Sequence, residues 1–170
     1  MSETVRRRRR LRALSKVPVP SLYERHPEVR SLVRRQLGLR AVPVDEIVGT
    51  AVAGATQRAA DFLPLPAFRS ANWTGRWQRV RAGIDRLAVL PPVDLLKYAE
   101  GYWVEDGHNR VAGALYAGQV AVDASVTELV PPGAARTERP TSLAAELVGS
   151  AELRLAGEGG TLGVPGRGDT

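Results

Sequence analysis

This 170-residue chain has no cysteine. That excludes a disulfide framework, a thiolate metal site and a cysteine nucleophile. Its two histidines, His26 and His108, are too few for a histidine-rich metal cage. A metal held by carboxylates and a bound phosphate stays open. No apolar run approaches 18 residues, so no membrane span is expected. The basic N-terminus is not followed by an apolar h-region, which argues against a secretory signal. These absences together point to the cytoplasm.

What is present is ordinary for one globular domain with tails. Apolar residues make up 44% and charged residues 25%. The net charge of +6 is unevenly spread. Residues 1–40 hold twelve basic and three acidic groups, and the other 130 residues hold twelve and fifteen. The high pI therefore describes the N-terminal segment. Arg, Ala and Gly are abundant, a bias that a GC-rich genome also produces.

Residues 1–20 read as a disordered Arg-rich arm, with Arg6, Arg7, Arg8, Arg9 and Arg10 in a row and then Pro18 and Pro20. Such an arm suits salt-dependent contact with DNA or RNA, or is simply solvated. The domain is expected over 21–130. Ser21 and Glu24 have capping-box spacing. Pro27 suits a helix start and Gly38 a helix end. Val29, Leu32, Val33 and Leu37 between them predict one apolar helical face. A short strand is expected over Val44–Val48, ending at Gly49-Thr50. Residues 51–71 read as a long irregular loop. Asn72 caps a predicted helix over 73–87, whose Trp73, Trp77, Val80, Ile84 and Leu87 form a core-facing stripe. Arg76, Arg79 and Arg86 lie off it.

Pro91-Pro92 ends that helix. Val93–Tyr98 and Tyr102–Glu105 predict a hairpin, His108–Ala117 a helix stopped by Gly118, and Val120–Val130 a returning strand. Residues 131–170 read as a mostly disordered tail with one short helix over Leu143–Leu155. The fold class is α/β (α+β), a small mixed sheet with flanking helices.

The run Tyr102-Trp103-Val104-Glu105-Asp106-Gly107-His108-Asn109-Arg110 concentrates the candidate chemistry. An apolar strand meets Asp-Gly and then a helix, and such a junction offers free N–H groups to an anion. Plainer roles stay open. Asp106 also suits a helix cap, Arg110 an ion pair with Asp106, and His108 a helix start without a ligand.

The segment from Pro91 to Val130 resembles the ParB/sulfiredoxin-like superfamily. Gly107-His108-Asn109-Arg110, followed by Ala112 and Ala114, matches its G-x-x-R-x-x-A pattern at a strand-to-helix turn. Gly49-Thr50 is similar to its first strand and turn. The resemblance implies a bacterial-type domain whose turn holds phosphates of CTP, ATP or ADP, usually with Mg²⁺. Gly107, His108, Asn109, Arg110 and Thr50 are the implied phosphate contacts. Sulfiredoxin chemistry needs a cysteine in this turn, where His108 stands. Partition proteins continue into a helix-turn-helix reader, which residues 131–170 do not resemble. Free serine kinases carry D-G-H-x-R, which Asp106–Arg110 fits. In that form Asp106 and His108 would be catalytic. Three functions follow: a nucleotide-binding, DNA-associated regulator; a small-molecule kinase or nucleotide hydrolase; or an interaction domain without a ligand. The oligomeric state is not legible.

Overall fold

A computed structural model of the chain describes residues 2–53, 57–86 and 89–134. The expected tail helix over 143–155 lies outside the described residues, as does Leu87 at the end of the tryptophan stripe.

The fold is mixed α+β. Five strands form one sheet in the order β1-β5-β3-β4-β2. They are β1 (Val33–Pro43), β2 (Ile47–Thr50), β3 (Val93–Tyr98), β4 (Gly101–Asp106) and β5 (Ala121–Val130). β1 and β5 pair antiparallel, as do β3 and β4. β5 with β3, and β4 with β2, pair parallel. Among the described residues four helices accompany the sheet: α1 (Glu3–Leu14), α2 (Leu22–Arg25), α3 (Ala71–Asp85) and α4 (His108–Ala117).

Alternation along the strands builds a core on each face. Leu95, Val104, Ala124 and Val126 pack with Val111 and Ala112 of α4. Leu96, Trp103 and Leu129 face the opposite way and pack with Leu22 and Val29. Trp103 is fully buried, and its indole N–H donates to the Tyr98 carbonyl at 3.2 Å. The two α3 tryptophans are half-buried rather than fully interior, stacked on each other with centroids 6.4 Å apart. They pack on the core as the stripe predicts. The α3 cap is Ser70, whose Oγ accepts from Trp73 N at 3.2 Å, and not Asn72.

Three expectations are corrected. Residues 3–14 are not a disordered arm but helix α1. Arg and Leu are good helix formers, Glu3 sits favourably in the first turn, and Leu11 is buried against the domain. The guanidinium of Arg7 lies over Gly118 at the end of α4. Residues 17–20 also belong to the domain. Val19 is buried, Val19 N donates to Arg58 O at 3.0 Å, and Thr50 N donates to Pro20 O at 2.9 Å.

The expected helix over 29–37 is instead a 3-10 turn (Pro27–Ser31) followed by β1. Val33 to Leu37 reads equally well as a strand, and ten residues of pairing with β5 decide it. Gly38 is not a helix end. It has φ +78° where the β1–β5 register shifts, the signature of a bulge. The expected strand over 44–48 begins later, because Val44–Glu46 forms a 3-10 turn before β2.

Candidate functional site

β4 ends at Asp106 and α4 begins at His108, with Gly107 between them at φ +95°. A Cβ there would lie 2.6 Å from Val93 Cγ1, so backbone and space both require glycine. The Gly107 carbonyl accepts from the amides of Arg110 (2.9 Å) and Val111 (3.0 Å). The amides of His108 and Asn109 have no hydrogen-bond acceptor among the described residues. They are the unspent donors at the positive end of α4.

Arg110 does not reach out from this corner. Its Nη2 donates to Asp106 Oδ2 at 2.6 Å, one helical turn back, and its Nη1 donates to the carbonyls of Pro91 (2.7 Å) and Pro92. The side chain thereby fastens the Pro91-Pro92 approach of β3 to the turn. Three of its five N–H groups are already used. The plainer role weighed for Arg110, an ion pair with Asp106, is the one observed. Asp106 itself is 71% exposed at the side chain.

His108 is buried, and its Nε2 lies 2.8 Å from Thr50 Oγ1. Thr50 is fully buried. Its hydroxyl also faces the Val104 carbonyl at 3.3 Å and accepts from Val52 N at 3.1 Å. Thr50 therefore holds the imidazole from inside the domain and does not itself line the cleft. Burial, reinforced by the nearby Arg58 charge and only partly offset by Asp106, pushes the His108 pKa down to about 4. The ring is neutral at neutral pH.

A cleft of about 520 Å³ opens over the turn. Gly107, His108 and Asn109 form one wall, and Arg58, Arg76 and Arg79 face them. The Arg58 Nη1 donates to Phe62 O at 2.8 Å and lies 3.5 Å from Asn109 Oδ1. Burial lowers its pKa, yet a guanidinium stays charged at any physiological pH. Arg79 Nε makes a long bond of 3.3 Å to Gly75 O. With Arg110, four guanidiniums surround a single carboxylate, Asp106. A recess lined mainly by positive charge concentrates anions. Arg58, Arg76 and Arg79 are the functional residues that the turn motif alone did not reveal. The available signal was the off-stripe placement of Arg76 and Arg79 on an amphipathic helix.

Mg²⁺ is held by one or two carboxylates together with substrate phosphates. The only carboxylate lining the cleft is already paired with Arg110. Among the described residues no group of three or more His, Cys, Asp or Glu side chains could hold a metal. The described residues of the cleft do not fit a protein-held Mg²⁺.

Arg6 to Arg10 are exposed and ordered on α1. Arg6, Arg7 and Arg10 line a groove between α1 and the domain, near Asp45, whereas Arg8 and Arg9 do not. None of the five forms an ion pair with the described residues. They stand apart from the turn cleft, whose lining contains none of them. No described helix is long and apolar enough to cross a membrane.

No family model matches this chain, and no curated protein does. Among solved structures it is similar to sulfiredoxin from Arabidopsis thaliana, at 15% identity. The alignment covers 52% of this chain and 82% of that one, with a TM-score of 0.35. The superposition is too loose to assign any residue a role.

Proposed function

We propose that this chain binds a nucleotide through its phosphates in the cleft over the Gly107 turn, as a ParB-like cytoplasmic protein of bacterial type. One observation carries the reading. Arg58, Arg76 and Arg79 converge on two unpaired helix amides, and the cleft holds only one carboxylate. CTP, ATP and ADP all present the oxyanions that such a recess attracts. His108 and Asn109 contribute amides, Gly107 permits close approach, and Arg110 keeps the corner in shape.

The kinase or hydrolase alternative draws less support. Asp106 is held by Arg110, and His108 is neutral and tethered to Thr50. Neither side chain can turn toward a substrate without giving up that contact.

A thermal-shift panel of CTP, ATP and ADP, with and without Mg²⁺, tests the reading. A nucleotide at a hundred times its Kd stabilises the folded state by about 2.7 kcal/mol. The double variant Arg76→Ala/Arg79→Ala should lose that shift. Its melting temperature without nucleotide should barely move, because both side chains are exposed or partly exposed and carry little packing. A full shift in the double variant places the site elsewhere, and no shift with any nucleotide refutes the proposal.

A second reading concerns nucleic acid. Helix α1 carries six arginines, of which Arg8 and Arg9 lie outside the groove against the domain and are open to a polyanion. Arg8→Glu/Arg9→Glu should weaken duplex DNA binding and flatten its salt dependence. Unchanged salt-dependent binding removes α1 from any such contact.

A further inference from the structure

A second hollow of about 380 Å³ adjoins the turn cleft. The two share Arg58, Arg76 and Asn109, so a ligand seated over the turn extends naturally into it. The walls of the second hollow differ in chemistry from the first. Gln57 comes from the loop after β2, Phe68 from a 3-10 turn (Pro66–Phe68), and Asn72 from the first turn of α3. No carboxylate lines it.

Gln57 and Asn72 are exposed, and their carboxamides make no hydrogen bond among the described residues. Each offers a donor and an acceptor side by side. Phe68 leaves 48% of its surface exposed, an apolar face with nothing on it. Trp73 is a wall here rather than a platform. Arg69 lies over its ring at 5.1 Å and Trp77 stacks on it. Its Nε1 is the one buried side-chain polar atom without a partner among the described residues.

A further phosphate would need only cations and amides. Paired carboxamides beside an open phenyl face suit something else, a flat ring with donors and acceptors along its edge. We infer that the second hollow receives the heterocyclic ring of a nucleoside di- or triphosphate, with Gln57 and Asn72 reading the ring edge and Phe68 covering its face. This inference rests on the phosphate site proposed above.

Calorimetric titration of the full chain with CTP, ATP and inorganic tripolyphosphate separates the two ideas. With the ring seated, at least one nucleotide binds about tenfold or more tightly than tripolyphosphate, as expected for two hydrogen bonds and a stacking contact. Gln57→Ala/Asn72→Ala and Phe68→Ala should each reduce that preference while leaving tripolyphosphate affinity unchanged. These side chains are exposed, so the variants should melt like the parent. Equal affinity for nucleotide and tripolyphosphate in the parent overturns the ring site and leaves the phosphate site standing. A nucleotide preference that survives both variants places the ring elsewhere and also overturns it. Failure of every probe to bind overturns the phosphate site and the ring site together.

Discussion

The buried imidazole of His108 makes a quantitative statement about acid stability. Its pKa is pushed down to about 4 in the folded chain, against an ordinary value of 6.5. A histidine depressed by folding binds its proton more readily in the unfolded state. The associated stability is complete above pH 6.5, declines as pH falls through the window down to about 4, and changes no further below that. Within the window the slope approaches about 1.4 kcal/mol per pH unit, and the whole loss from this residue is about 3 kcal/mol. Glu28 and Glu100, both lowered in the folded chain, also lose stability in acid, so a single curve does not isolate the histidine. The comparison with His108→Gln does. A glutamine amide can reach the Thr50 hydroxyl but does not titrate. Urea midpoints measured from pH 7.5 to 3.5 should fall more steeply in the parent than in the variant, with the gap opening below pH 6.5. Parallel curves would refute the reasoning, as would a titration near 6.5 assigned by NMR to the His108 imidazole in the folded parent.

Two further substitutions probe the scaffold of the site. Gly107→Ala forces a side chain into φ +95° and a Cβ to 2.6 Å from Val93, and should cost about 2–4 kcal/mol by urea denaturation; a loss below about 1 kcal/mol would show that the turn relaxes freely. Tyr116→Phe removes the hydroxyl that donates to the fully buried Asp61 at 2.9 Å, leaving that carboxylate with only the Leu63 amide. The expected loss is about 1–3 kcal/mol, measured by the same denaturation, and an unchanged midpoint would mean that Asp61 finds another partner.

The run from β3 to β5 was legible because each element there is specified locally. Val120 to Thr127 alternates, Gly107 and Gly118 bracket α4, and Pro91-Pro92 separates α3 from the sheet. The N-terminal third misled for a physical reason. Val29 to Leu37 satisfies a helical face and a strand at once, and only the distant β5 partner chooses between them. In Arg6–Arg10 mutual repulsion does not prevent a helix, since the buried anchor Leu11 and good helix propensity outweigh it. At the site, the turn itself followed from Asp106-Gly107. The roles of Arg110 and Thr50 did not, because the contact with the Pro91 and Pro92 carbonyls and the burial of Thr50 are set by packing. Arg58, Arg76 and Arg79 converge from two separate elements, and no local spacing encodes such a meeting.

Helix α4 carries partial positive charge at its start, where the cleft opens, and partial negative charge at its finish, where Arg7 rests over Gly118. Arg7 thus sets one positive charge of the basic helix beside the negative end of a peptide dipole. Part of that helix's charge is spent within the fold, and a passing polyanion would meet fewer free cations than the tally of arginines suggests.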